Sequence, residues 1–315
     1  IRLSLVGSEM CIRDRYNDDN TYSVNQEGCY YSKYEARDLL KTFVKKFKGS
    51  DLDKKGVKVS MFESGSMEGD DSSCAAYMDC ILGRGPKYVF KNAKLRKYFK
   101  EVSMHSYWSG ADTKKNAENY FSDKYSKYSV AATEYCQMTD DKNTGVYDLI
   151  AKEKNGTNGT SIKYGVAMAN TIVDDLTIMN ANEWDWWTAC SYGTYTDGLI
   201  YLDEDNHENL DFSKRYYCLG NFSKFIKEGA VRVACSSGVK NVRSVAFVNE
   251  DNTVVTVYVN NNDKKAYTTI DCEGDYAVYT TDRDNDIAKT DFGKAKKVKV
   301  SLPASSVVTV VYEAK

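Results

Sequence analysis

The hydrophobic pattern of this chain changes abruptly at about residue 230, and this change constrains the fold more than any other feature. Before it, short β-favouring runs beginning near residues 57, 102, 128 and 184, the last over 184–189, alternate with stretches at helical spacing. These stretches predict helices over 32–47, with Ser32 as the N-cap, and over 74–82, 91–99, 112–126, 161–179 and 213–226. Such alternation predicts βαβ units and a parallel sheet. We therefore expect residues 16–229 to form about half of a (β/α)8 TIM barrel, an α/β architecture.

After residue 230 the residue pattern is typical of an all-β domain. Short runs of alternating apolar and polar residues are separated by Asn, Asp and Gly turns, which predicts an antiparallel β-sandwich over residues 230–315. The expected strands are 231–233, 245–247, 254–259, 267–270, 276–279, 298–300 and 307–312.

Residues 1–15, IRLSLVGSEMCIRDR, do not fit either pattern. They lack an initiator Met and usable periodicity, and their apolar part is too short for a signal peptide. We interpret this segment as translated sequencing-adapter sequence and exclude it from the fold. On this interpretation the natural N-terminal part of the protein is missing.

Composition excludes several classes of function. The 43 basic and 45 acidic residues are mixed along the chain, so no basic patch predicts nucleic-acid binding. The chain contains no apolar run of the length needed to span a membrane. Its 25 Tyr, 4 Trp and 11 Phe suit clefts that hold polyhydroxylated ligands, although many such rings fill cores.

The nine cysteines include no CxxC pair, which argues against a zinc site, and we expect no metal and no cofactor. Cys74 and Cys80 are close enough in sequence to form a disulfide, and Cys235 with Cys272 is a second candidate pair. Buried thiols are the alternative for all four residues.

Chemically active side chains fall where the predicted barrel strands end. In a barrel these ends converge on one face, and a glutamate among His, Tyr and Trp side chains there predicts a carbohydrate site. The carboxylate would attack or stabilise an oxocarbenium-like carbon, while aromatic rings stack on the sugar. The strand-end residues are Glu63, His105, Tyr107, Trp108, Glu134, Tyr135, Trp184, Trp186 and Trp187.

Each of these residues also has a purely structural interpretation. A strand-end glutamate such as Glu134 ordinarily meets solvent, and the same holds for Glu27 and Glu63. His105 is nearly as well explained by packing beneath the site as by contact with substrate. Three tryptophans within four residues cannot share one face of a strand, so Trp187 points away from the other two.

Five motifs follow one another along the chain: Gln26-Glu27-Gly28-Cys29, His105-Ser106-Tyr107-Trp108, Thr133-Glu134-Tyr135, Trp184-x-Trp186-Trp187 and the stretch 219–226, LGNFSKFI. In this order they are similar to motifs of glycoside hydrolase family 30, closest to its endo-β-1,6-galactanase-like branch. The resemblance covers the chain from residue 16 and implies a (β/α)8 barrel with a side β-sandwich, retaining cleavage of β-glycosidic bonds, and Glu134 as the nucleophile.

The family's acid/base glutamate lies in an Asn-Glu-Pro motif shortly before the QEGC loop. This chain has Ile-Arg-Asp-Arg-Tyr at 12–16 instead, so we expect it to lack that residue. Without the proton donor, natural glycosides with poor leaving groups should hardly react, and we expect this chain itself to be inactive on them.

We expect the parent to be a secreted, monomeric hydrolase of β-1,6-galactan, with glucuronoxylan and β-1,6-glucan as rival substrates. A non-catalytic carbohydrate-binding protein is the alternative from another class. The expected substrate-binding residues are Glu27, Glu63, His105, Tyr107, Trp108, Tyr135, Trp186 and Trp187.

Overall fold

The computed structural model describes residues 32–57, 59–64, 74–83, 96–138, 141–142, 146, 148–149, 159–193, 195–203, 206 and 208–313. The chain divides into two compact units. The first comprises Ile1–Tyr135 with Ile178–Trp186, and the second comprises Cys136–Thr177 with Trp187–Lys315.

The first unit is built on a parallel sheet whose four strands follow one another in chain order. All four strands predicted for the barrel are confirmed. They are β1 (Val59–Ser64), β2 (Phe99–His105), β3 (Ser129–Glu134) and β4 (Glu183–Trp184). The described helices of this unit are α1 (Lys33–Phe47), α2 (Asp51–Lys54), α3 (Cys74–Leu82) and α4 (Ala111–Tyr125).

Helix α1 begins where its capping residues allow. Ser32 Oγ accepts a hydrogen bond from Glu35 N at 3.3 Å, and Glu35 Oε2 accepts one from Ser32 N at 2.9 Å. This capping box satisfies two backbone donors that the first turn leaves unpaired. The apolar stripe of α1, including Leu40 and Val44, is buried in a core shared with α3, α4 and the sheet.

Two predicted elements in this unit extend too far. The strand expected over 184–189 ends at Trp184, which pairs with Ala132 of β3. The helix expected over 91–99 is present at Arg96 but ends before Phe99, which begins β2, while residues 91–95 lie outside the described part.

The second unit holds two described helices and two sheets. Helices α5 (Ile162–Thr177) and α6 (Lys214–Ser223) confirm the helices expected over 161–179 and 213–226. A small sheet was not predicted, since its strands have two or three residues and carry no measurable periodicity. It consists of β5 (Cys190–Ser191), β6 (Ile200–Leu202) and β7 (Leu210–Phe212).

The C-terminal region is the predicted antiparallel β-sandwich domain, with six strands in the order β12-β11-β13-β10-β9-β8. Its apolar core contains Val298, Val300, Val308 and Val310, among others. The strands are β8 (Val231–Val233), β9 (Val242–Val248), β10 (Thr253–Asn260), β11 (Ala266–Thr281), β12 (Ala288–Leu302) and β13 (Ser306–Glu313).

The separate strands expected over 267–270 and 276–279 are one continuous strand, β11. The intervening Asp and Gly residues form a register shift rather than a turn, and Gly274 takes φ +137° there. Glycine adopts this conformation without steric cost, which lets the strand bend and continue.

Helix α6 is joined to the sandwich through the buried Asn221. Its side-chain Nδ2 donates to Thr309 Oγ1 at 2.9 Å, and its side-chain Oδ1 accepts from Thr281 Oγ1 at 2.5 Å. Its backbone carbonyl accepts from Thr309 Oγ1 at 2.7 Å. A fully paired buried amide fixes α6 against β11 and β13, because each lost partner would leave a polar atom unsatisfied.

The suggested disulfides do not form. The Cys80 thiol donates to the Lys33 carbonyl at 3.4 Å, the Cys272 thiol donates to the Ala295 carbonyl at 2.8 Å, and Cys235 is also a thiol. Across the described residues, no helix has the length and apolarity required to cross a membrane.

Candidate active site

The register of the parallel strands brings three chemically active strand ends side by side. His105 at the end of β2 lies opposite Glu134 at the end of β3, and Trp184 of β4 lies opposite Ala132 of β3. The carboxyl ends of parallel strands meet at one edge of the sheet, as expected for a barrel active site.

A one-residue shift in register sets the position of Glu134. Met104 pairs with Ala132 and His105 pairs with Glu134, so Thr133 is an extra residue in β3 with no counterpart in β2. Extra residues of this kind redirect the side chain that follows them and recur beside active sites.

The consequence of the shift follows from the positions of the preceding side chains. Val130 and Ala132 belong to the core that packs against the helices. Strict alternation would send Glu134 to that same face, where a carboxylate has no polar surroundings. The extra Thr133 reverses the alternation and places Glu134 beside His105 instead.

Glu134 is 6% exposed, and two polar groups face its carboxylate. Tyr107 Oη donates a hydrogen bond to Glu134 Oε1 at 2.9 Å, and His105 Nδ1 lies 3.8 Å from the same oxygen. Hydrogen bonds donated to a carboxylate are among the stronger ones in proteins. Tyr107 therefore holds one oxygen of the Glu134 carboxylate in place.

Aromatic rings surround this carboxylate. The ring centroid of Tyr107 lies 5.8 Å from those of His105 and Tyr135 and 5.6 Å from that of Trp108. Tyr135 lies 6.2 Å from Trp184 and 5.9 Å from Trp186, and these two indoles are 6.3 Å apart. Rings with polar edges around one carboxylate match the chemistry of a sugar site.

The turn after β2 has an unusual backbone conformation. Trp108 has φ +52°, in the left-handed region that bulky residues rarely enter. Ser109 supports the turn, since its Oγ donates to the Tyr107 carbonyl at 2.9 Å. Backbone strain of this kind is concentrated at functional sites, where the surrounding structure maintains it.

Of the residues predicted for the site, the structure brings together Glu134, His105, Tyr107, Trp108, Tyr135 and Trp186. Trp187 lies in the second unit, where its ring is 46% exposed. Glu63 lies in β1, and its side chain is outside the described part; Glu27 is also outside it.

Trp184 was expected at a strand end but was not among the expected substrate-binding residues. Its ring lies beside those of Tyr135 and Trp186, and it also packs against the core of the first unit. Within the part of the chain that the structure describes, no group of three His, Cys, Asp or Glu side chains is placed to hold a metal ion.

Comparison with known families agrees with this geometry. Residues 12–201 match the model of "O-Glycosyl hydrolase family 30", and residues 229–310 match that of the "Glycosyl hydrolase family 30 beta sandwich domain". The chain belongs to glycoside hydrolase family 30. Its partial (β/α)8 barrel and its β-sandwich are the two domains of that family.

Solved structures share the fold of this family 30 chain. A conserved exported protein from Bacteroides fragilis matches with a TM-score of 0.74 at 22% identity over 95% of this chain and 64% of its own. A family 30 endoxylanase from Clostridium papyrosolvens C71 matches with a TM-score of 0.65 at 19% identity, over 92% of this chain and 62% of its own. An endo-β1,6-glucanase matches with a TM-score of 0.57 at 18% identity, over 92% of this chain and 56% of its own.

This family 30 chain therefore spans less than two thirds of the length of these structures.

Proposed function

We propose that the protein is a retaining glycoside hydrolase in which Glu134 is the nucleophile. The observation that carries the proposal is the buried Glu134 carboxylate at the end of β3, oriented by the Tyr107 hydroxyl at 2.9 Å and surrounded by aromatic rings. Membership of family 30 supports hydrolysis of an O-glycosidic bond.

In the proposed reaction, a carboxylate oxygen of Glu134 attacks the anomeric carbon. The bond to the leaving oxygen breaks, that oxygen takes a proton from a second carboxylic acid, and a glycosyl–Glu134 ester forms. Water then attacks the same carbon, gives a proton to the second group and releases the sugar with its original configuration. Tyr107 keeps the carboxylate aligned throughout.

We propose that this chain alone lacks that second carboxylic acid, as expected from residues 12–16. A poor leaving group needs the proton, whereas an aryl leaving group such as 2,4-dinitrophenolate departs without it. The chain should therefore release dinitrophenolate from dinitrophenyl β-glycosides in a burst of about one per chain. Further release should be slow, because the missing group is also the base of the second step, and natural polysaccharides should stay almost intact.

For the substrate we propose β-1,6-galactan, on the resemblance of the strand-end motifs, with β-1,6-glucan and glucuronoxylan as rivals. The neighbours that are a β1,6-glucanase and xylanases support a β-linked polysaccharide without choosing among these three. We also propose that the parent protein acts outside the cell as a monomer.

The test is hydrolysis by the purified chain of 2,4-dinitrophenyl β-glycosides that carry β-1,6-galactobiose, β-1,6-glucobiose or β-1,4-xylobiose. We expect dinitrophenol release from the galactobioside with retained configuration, observed by proton NMR, and loss of release in Glu134→Gln. Glu101→Gln is the matched control, because Glu101 lies toward the opposite end of β2 and should not affect the rate.

A Glu134→Gln chain that retains the parent rate would overturn the proposal. Rapid cleavage of polymeric galactan by the unsubstituted chain would refute only the proposal that this chain lacks the second carboxylic acid. Binding of glycan without cleavage of any of the three aryl glycosides would favour the non-catalytic carbohydrate-binding alternative.

A further inference from the structure

Two tyrosines project from a single loop of the second unit. Tyr192 and Tyr195 lie between β5 and β6, and they are 57% and 63% exposed. Their rings meet edge to face, with centroids 6.1 Å apart and an interplanar angle of 86°. Isolated exposed aromatic residues need no explanation, but a contacting pair on one loop presents a continuous surface that a ligand can cover.

Hydrogen bonds to the interior of the unit hold the backbone of this loop. Tyr201 Oη donates to the Tyr195 carbonyl at 2.8 Å and accepts from Gly198 N at 3.1 Å. The guanidinium of Arg215, which is fully buried, donates to the Gly198 carbonyl through Nε at 3.2 Å and Nη2 at 2.9 Å. Arg215 Nη2 also donates to Tyr201 Oη at 2.5 Å, so one buried cation organises the loop.

Side chains of the loop add two further ties. Thr196 Oγ1 donates to the Gln137 carbonyl at 2.6 Å, and Ser191 Oγ donates to Asp197 Oδ1 at 2.7 Å. These bonds hold the loop at Ser191 and over residues 195–198, so this part of it loses less conformational entropy when a ligand binds. Such preorganisation increases affinity.

The charge on the loop selects the class of ligand. Residues 191–199, SYGTYTDGL, contain no Lys or Arg, and their one carboxylate, Asp197, accepts from Ser191. An anionic ligand finds no cation on this segment. Two perpendicular phenol rings instead offer one flat face and two hydroxyl groups, which match the C–H face and the hydroxyls of a neutral hexose.

We infer that Tyr192 and Tyr195 form a binding site for a neutral hexose unit of a β-linked glycan, organised by Arg215. The inference rests on the proposed function, which makes a glycan the ligand, and deepens it by favouring an uncharged chain over one with uronic acid branches.

The test measures binding in the full chain carrying Glu134→Gln, so that hydrolysis does not consume the ligand. Isothermal titration with β-1,6-galactotetraose and β-1,6-glucotetraose gives the parent Kd. We expect Tyr192→Ala and Tyr195→Ala each to raise the Kd for the tetraose that binds tighter by roughly 10- to 100-fold, the scale of removing one buried aromatic face. Tyr192→Phe and Tyr195→Phe keep the rings and should stay within about threefold.

Tyr267→Ala is the matched control, because Tyr267 is 49% exposed on β11 of the same unit. A Kd that changes as much in Tyr267→Ala as in the two loop variants would overturn the inference, as would an unchanged Kd in the Tyr192→Ala, Tyr195→Ala double variant. Absence of binding of both tetraoses, or tighter binding of a xylo-oligosaccharide with a glucuronic acid branch, would also overturn it. Dinitrophenol release that depends on Glu134 reports the proposed function separately, so the two failures are distinguishable.

Discussion

Removal of the Tyr107 hydroxyl is the most informative change in the active site. Tyr107→Phe keeps the buried ring and its contacts with His105, Trp108 and Tyr135, and it deletes the hydroxyl that donates to Glu134 Oε1. The carboxylate then loses a group that orients it, and an aligned nucleophile is a large part of the catalytic advantage.

The magnitude follows from the type of bond. A hydrogen bond to a charged group contributes about 1.5–3 kcal/mol. If the transition state needs that alignment in full, kcat/KM for a 2,4-dinitrophenyl β-glycoside should fall about 10- to 150-fold, since each 1.36 kcal/mol changes a rate about tenfold. The assay follows dinitrophenol absorbance with the aryl glycoside on which the parent chain is most active.

Tyr128→Phe is the control. Tyr128 is also a buried tyrosine of the first unit, and its hydroxyl has no hydrogen-bond partner among the described residues. This variant should keep the parent rate, and both variants should keep the parent Tm within a few degrees. A Tyr107→Phe rate within about threefold of the parent, or above it, would refute the alignment argument.

Three further predictions concern the rest of the chain. At pH 8 iodoacetamide should modify the exposed Cys190 before Cys218, whose thiol pKa is raised by burial, and equal rates by peptide mass spectrometry would contradict this. Asn221→Leu removes the acceptor of the buried Thr281 hydroxyl and the amide donor to Thr309, so the free energy of unfolding in urea should drop by about 1–3 kcal/mol, and an unchanged midpoint would be inconsistent with the network. Ser32→Ala should lower the free energy of unfolding by about 0.5–2 kcal/mol because it removes the N-cap of α1, and Ser32→Thr should lower it much less. Thermal unfolding followed by circular dichroism measures both.

Elements with strong local periodicity were predictable from the sequence. The helix expected over 74–82 has those bounds in the structure, and α1 begins after the expected cap Ser32. The strand leading to Glu134 was predictable because its β-favouring run is bounded by a polar turn on one side and the carboxylate on the other. The convergence of His105, Tyr107 and Glu134 followed from a general property of barrels rather than from any contact visible in the sequence.

Features that depend on pairing between distant segments were not predictable. The extra residue Thr133 is defined only by comparison with β2, so no local pattern reveals it. Nothing in the residues next to Arg215 marks it as buried, because its partners Gln137 and Gly198 lie 78 and 17 positions away in the sequence. The continuity of β11 through Gly274 depends on its partner strand, because the same residues favour a turn when considered alone.

The nucleophilic role of Glu134 is tested most directly by trapping the covalent intermediate. The chain is incubated with 2,4-dinitrophenyl 2-deoxy-2-fluoro β-glycosides in the three disaccharide forms, whose fluorine slows hydrolysis of the glycosyl ester. We predict one adduct per chain with at least one reagent, located by peptide mass spectrometry on Glu134, and no adduct in Glu134→Gln. An adduct on another carboxylate such as Glu183, or no adduct with any of the three reagents, would contradict the assignment.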